Sequence, residues 1–157
     1  MHVVEQRPLQ IRQRRGDDDR FIGSLAARAF AEYDGQPAVT MQRLVQRGTS
    51  WVAWRDEAPV GFAVVHPLNQ SSADLCAIAV EEEARGLGIG RALLAHVEQA
   101  VVRAGLKEIR LHTAQANLSA LELFLKFGFR VERRMPRFYR GVFDACALSK
   151  RVGPAFR

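Results

Sequence analysis

The chain has 157 residues, of which 48% are hydrophobic and 25% charged. That length suits one domain with a sizeable core. No run approaches the roughly 18 apolar residues that span a bilayer, and Cys76 and Cys146, both in apolar runs, are too few for a disulfide framework. The net charge of +6 raises nucleic acid as a partner, but the 23 basic residues are scattered through every segment, with no recognition helix or aromatic platform beside them.

In chain order, Leu9 to Arg14 alternates apolar and polar residues as a half-buried strand does. Gly16-Asp17-Asp18-Asp19 ends it, and such a run before a helical pattern supplies an N-cap and first-turn charge, the alternative being a metal site. Phe21, Ile22, Leu25, Ala29 and Phe30 recur at helical spacing until Gly35 and Pro37 break the pattern. A second short helix is expected over Val39 to Gln46, closed by Gly48. Ser50 to Arg55 and Val60 to His66 read as a hairpin, and Ala73 to Val80 as the next strand. After a glycine-rich stretch, Ala92 to Ala104 presents Leu93, Val97, Ala100, Val101 and Ala104 on one face, with Gly105 as C-cap. Lys107 to Thr113 is a strand, parallel to its predecessor because a helix joins the two. Asn117 opens a helix with Leu118, Leu121 and Leu125 toward the core and Ser119, Glu122 and Lys126 along a polar edge; Gly128 ends it. Strands follow from Phe129 and over Val142 to Ser149, an antiparallel pair joined at Tyr139-Arg140-Gly141. The order βααβββαβαββ implies a mixed α+β fold, a mostly antiparallel sheet flanked by helices.

One domain over 1–157 is expected, with its core at about 9–150 and a loose tail at 151–157. The N-terminus lacks the apolar core of a signal peptide, so a cytoplasmic protein is expected.

The chemistry concentrates at Arg85-Gly86-Leu87-Gly88-Ile89-Gly90-Arg91, between a strand and a helix. Gly86, Gly88 and Gly90 remove the Cβ atoms that would hold a ligand off the backbone. The amides open the next helix, where orphan donors and the macrodipole favour an anion. Arg85 and Arg91 add formal charge. Gly90 is followed by Arg91-Ala92 and not by Lys-Ser/Thr, which excludes a nucleotide-triphosphate loop. The glycine spacing is also wrong for a dinucleotide fingerprint.

This stretch resembles the acyl-CoA pyrophosphate loop of the GNAT acetyltransferase superfamily, Gln/Arg-x-x-Gly-x-Gly/Ala at a strand-to-helix junction, matched by Arg85, Gly88 and Gly90. A second block, Asn117 through Phe124 to Gly128-Phe129, resembles the family's Asn-headed helix ending in Gly-Phe. The resemblance implies acetyl-CoA as co-substrate, no metal, and acetyl transfer by direct attack of an amine in a ternary complex. Part of the basic excess would then serve the phosphates of CoA. It also implies two parallel strands that splay to admit the thioester arm, with Ile78 and Val80 at the backbone positions that hold it, the pyrophosphate on the amides of Leu87 to Arg91, and Asn117 and Phe124 beside the arm. The acceptor pocket falls, by resemblance, at Glu32 to Thr40 and Arg133 to Gly141. The partner is an amine-bearing small molecule, protein or peptide, with no nucleic acid or membrane, and the chain a monomer or homodimer. The alternative is a GNAT-fold module that binds acyl-CoA without turning it over.

Three residues are candidates for the general base. His112 lies where N-terminal amine acetylases of the family carry a catalytic Glu, and histidine ordinarily titrates near 6.5. Asp74 sits on the other splayed strand, on the side of Cys76 and Ile78, and Glu32 lies in the expected acceptor wall. His66 and His96 read as ordinary strand-end and helix-surface residues. The family's general-acid Tyr is replaced by Phe124, which has no proton to give; Tyr139, then Tyr33, is the substitute expected.

Overall fold

The computed structural model describes residues 8–154; the N-terminal residues examined for a leader, 1–7, and the last three of the expected tail lie outside that range. Its elements are β1 (Gln10–Gln13), α1 (Asp19–Ala29), α2 (Pro37–Arg47), β2 (Thr49–Arg55), β3 (Ala58–Pro67), β4 (Ser72–Val80), α3 (Ile89–Arg103), β5 (Glu108–Ala114), α4 (Leu118–Phe127), β6 (Arg130–Tyr139) and β7 (Phe143–Arg151). Short 3-10 turns precede α1 and the glycine loop. The order is the expected one. One seven-stranded sheet runs β1-β2-β3-β4-β5-β7-β6, antiparallel except where β4 meets β5.

Alternation along β2 and β3 divides the core. Val52, Phe62 and Val64 meet Ile22, Leu25, Met41 and Val45 of α1 and α2. Trp51, Ala53, Ala63 and Val65 meet Leu93, Leu94 and Val97 of α3 and Phe124 of α4. Each large apolar side chain buried in this way contributes about 1.5–3 kcal/mol.

The Asp17 to Asp19 run is structural. Asp18 is 4% exposed, accepts the Arg15 N–H at 2.8 Å and is held by both terminal nitrogens of Arg12 at 3.0 and 3.2 Å.

Two expectations are corrected. In α4 the buried residue is Phe124, packed with Leu121, Leu123 and Phe127, whereas Leu118 is 72% and Leu125 46% exposed. The helix carries two apolar stripes, and the aromatic one wins the core because it buries more area. Gly128, at φ 110°, lets the Phe129 N–H reach the Phe124 carbonyl and turns Phe129 into the core. The tail also begins later than expected: β7 runs to Arg151, and buried Val152 donates its N–H to the Lys107 carbonyl at 2.9 Å.

Gly48 closes α2 against β3, where an added Cβ would lie 2.3 Å from the Val65 carbonyl oxygen. Backbone cannot yield as a flexible side chain does. Gly48→Ala is therefore expected to lower stability by about 1–3 kcal/mol, the range for overpacking, measured by urea unfolding; a loss below about 0.5 kcal/mol would show that the α2–β2 connection shifts freely.

Candidate functional site

β4 is regular only in part. Val64 pairs with Ala77 but Val65 with Leu75, so Cys76 is an extra residue, a bulge. Before it Ala73 and Leu75 face the α3 side; after it Ala77 and Ala79 face α1 and α2, while Ile78 and Val80 pack on the α3 side. The expectation that Asp74, Cys76 and Ile78 share one side is thereby corrected for Ile78. β4 pairs with β5 at only three positions, from Ser72–Glu108 to Asp74–Arg110, and the remaining lengths diverge.

Backbone polarity in this gap follows from the ladder on the other edge of β4. Glu81 donates its N–H to the Val60 carbonyl at 2.8 Å, and Gly61 and Ala63 stand opposite Val80 and Ile78. Antiparallel alternation then points the Ala79 amide groups at β3 and those of Ile78 and Val80 into the gap. The Val80 carbonyl accepts the Arg85 Nε–H at 3.3 Å.

Gly86 and Gly88 have φ of 78° and 81°, the left-handed region where glycine alone is unstrained. Gly88 caps α3, and a Cβ added at either glycine meets open space. Gly90 differs: a Cβ there would lie 3.0 Å from Leu123, so this glycine admits the close approach of α4 as well as lining the cleft. The cleft, about 570 Å³, is lined by the three glycines, Arg85, Arg91, Ile78 and Val80, with Asn117 and Phe124 opposite and Glu32 at the side. Leu87 is 56% exposed and outside it. Asn117 caps α4 through Oδ1, which accepts the Ala120 N–H at 3.3 Å, leaving its amide NH₂ for a ligand.

A second cavity of about 360 Å³ lies beyond the gap. Phe30, Tyr33, Ile78, Asn117, Ala120 and Phe124 line both. The second holds His112, Tyr139 and Arg140 on one side and Tyr33, Asp34 and Thr40 on the other, over an apolar floor of Met41, Leu44, Leu75 and Cys76. The floor from α2 and Cys76 went unforeseen, since apolar residues in apolar runs carry no signal beyond core packing. Its ring-bearing residues make aromatic contacts: His112 stacks on Phe138 with centroids 5.0 Å apart, Tyr139 lies 5.5 Å from Tyr33, and Phe143 meets Tyr33 edge-on at 5.3 Å.

Asp74 lines a neighbouring groove instead of this cavity. Its carboxylate is 3.5 Å from Cys76 Sγ. Burial, then the Asp74 charge, pushes the Cys76 thiol up to about 12, which disarms it as a nucleophile. Burial, then Tyr33 and Asp74, likewise pushes the Tyr139 phenol up to about 12. His96 packs edge-on against Trp51 at 5.5 Å, and burial, then Arg103, lowers its pKa; it is more than a helix-surface residue.

The architecture is that of the GNAT N-acyltransferase fold. Solved structures superpose over nearly their whole length: the ribosomal-protein-S18-alanine N-acetyltransferase of Escherichia coli, at 21% identity and TM-score 0.81 over 96% of this chain and 97% of that one, and a GNAT family acetyltransferase of Elizabethkingia anophelis with acetyl-CoA bound, at 19% identity and TM-score 0.76 over 92% and 98%. A family model described as acetyltransferase (GNAT) matches residues 15–129, and the chain belongs to that family. Among curated relatives, a mycothiol acetyltransferase of Kocuria rhizophila is 30% identical over 142 residues, covering 80% of this chain and 46% of the relative. The chain thus spans less than half the length of that relative.

Proposed function

We propose that the protein transfers the acetyl group of acetyl-CoA to an amine by direct attack in a ternary complex. The observation that carries this reading is the confluence of two cavities across the β4–β5 gap, one walled by anion-seeking amides and the other by titratable groups. The open space over Gly86 and Gly88 and the α3 N-terminus fit a pyrophosphate, and the Ile78 and Val80 edge fits an extended amide-bearing arm. No group of three or more His, Cys, Asp or Glu that could hold a metal occurs among the described residues.

In this reading the acceptor nitrogen enters from the second cavity. A base, His112 in our assignment, takes its proton as the N–C bond forms, and the C–S bond breaks as the tetrahedral centre collapses with CoA leaving as thiolate. The Ile78 amide is placed to donate to the developing oxyanion. The raised Cys76 pKa favours direct attack over an acetyl-cysteine intermediate.

A phenol with pKa near 12 stays protonated throughout the working range, so Tyr139 donates a hydrogen bond to the departing sulfur more readily than it gives up its proton. Tyr139→Phe is expected to slow acetyl transfer roughly tenfold, the worth of one hydrogen bond to a charged group, without moving either limb of the pH profile. A pre-steady-state rate within about twofold of wild type would remove Tyr139 from the mechanism.

The function is tested by incubating the protein with acetyl-CoA and a panel of amines, peptides and small molecules, following both acetylated product and free thiol. CoA binding with no transfer to any acceptor would favour the binding-module alternative.

A further inference from the structure

Helices α1 and α2 pack on β2, β3 and β4, and past them the same face of the sheet continues over β5, β7 and β6. Register sets its side chains in rows. Arg110, Ser149 and Arg130 form one, His112, Ala147 and Arg133 the next, and Glu108 stands opposite Arg151 at the far end. The middle strand contributes Ser149 and Ala147, both small, while its neighbours contribute long charged residues, so the face is a trough running along β7. It leads to His112, which lines both this groove and the second cavity.

The charges in the trough are unequally satisfied. Glu108 is held by the Arg110 guanidinium and, at 3.3 Å, by the Ser72 hydroxyl. Glu132 accepts the Ser149 hydroxyl at 2.6 Å, whereas Lys150, on the opposite face of β7, is bound to Glu98 of α3 at 2.6 Å. Arg130, Arg133 and Arg151 are exposed, and no carboxylate among the described residues pairs with them.

The geometry points to a binding trough for an acidic segment of a polypeptide acceptor, its reactive amine at His112 and its carboxylates two to four residues further on, against Arg133, Arg130 and Arg151. This rests on the acetyltransferase reading above. The spacing follows from the strand: Ala147 to Arg151 is four residues, about 13 Å, the reach of a short extended peptide. Charge complementarity selects the occupant. Three unpaired guanidiniums ask for carboxylates, while Asp74, Glu108 and Glu132 between them would repel a continuous polyphosphate, which disfavours nucleic acid.

The test uses the whole protein, acetyl-CoA, and peptides with a free N-terminal amine that differ only at positions three to five: glutamates, alanines or lysines. The glutamate peptide is expected to exceed the lysine peptide roughly tenfold in kcat/KM at low salt, as two or three exposed ion pairs provide, and the difference is expected to shrink as salt screens it. The double variant Arg130→Glu/Arg151→Glu is expected to invert the preference while leaving acetylation of a small uncharged primary amine unchanged. Equal rates for the three peptides, or a preference that survives in the variant, would overturn the proposal. So would competition by a single-stranded RNA oligomer that depends on Arg130 and Arg151 in the absence of any peptide preference. Fluorescence anisotropy of the labelled glutamate peptide separates the two readings. Binding that the double variant abolishes, with no transfer to any amine, would retain the trough and discard the acetyltransferase, whereas transfer to small amines without selective peptide binding would do the reverse.

Discussion

Gly88→Asp is expected to weaken CoA binding by at least about a hundredfold in calorimetry while leaving the fold intact. The backbone there has φ of 81°, and a non-glycine residue in that region costs about 1–2 kcal/mol. A Cβ added there meets no heavy atom within 4 Å beyond its chain neighbours, and Gly88 lines the glycine-loop cleft, so the new carboxylate has room to stand in that cleft. A carboxylate about 5 Å from a phosphate adds roughly 3 kcal/mol of repulsion at an effective dielectric near 20. The repulsion alone reaches the hundredfold range, each factor of ten being about 1.4 kcal/mol. Gly88→Ala, which brings the strain without the charge, is expected to lose about tenfold. Affinity for CoA within about threefold of wild type in the Asp variant would mean that the loop is a connection only.

The second large effect is expected at His112. Replacing it with Ala should lower kcat about a hundredfold, the lower end of general base catalysis, with little change in the Michaelis constant for acetyl-CoA, because His112 lies outside the glycine-loop cleft. Loss of base catalysis also removes the acidic limb of the pH profile, which a purely structural role would not. The stack on Phe138 contributes about 0.5–1.5 kcal/mol, so His112→Gln serves as the control that keeps a planar group there. If the acidic limb persists in His112→Ala and disappears in Asp74→Asn, the base is Asp74, working from the adjoining groove.

The order of elements was readable because α1 and α3 carry the helical period of 3.6, while β2 and β3 are short apolar runs separated by Asp56-Glu57-Ala58-Pro59. The glycine loop and the Asn117 helix were readable because their residues are chosen for backbone geometry. What stayed hidden was decided by competition between apolar residues. In α4 the stripe of Leu118, Leu121 and Leu125 and the stripe of Phe124 and Phe127 are equally periodic, and only the packing partner chooses. From Leu75 to Val80 every residue is apolar, so no alternation marks the bulge at Cys76. β6 reads as polar, with Pro136 and four arginines between Arg130 and Arg137, because it is an edge strand and such residues discourage pairing with other chains. The second cavity draws on Tyr33 to Thr40 and on Tyr139 and Arg140, within the stretches that the resemblance assigned to an acceptor pocket, but its floor comes from residues that look like ordinary core.

The extra residue in β4 behaves like a dislocation in a crystal. It cannot be annealed locally, because shifting the strand by one position to restore pairing with β5 would move Ala77 and Ala79 out of one hydrophobic layer and Ile78 and Val80 out of the other. The defect would have to travel to an end of the strand, exposing apolar side chains at each step. The gap beside β5 is consequently permanent, open before any ligand arrives. An arm that enters it finds its hydrogen-bonding edge already oriented, and binding incurs little of the ordering cost that a mobile cleft would impose.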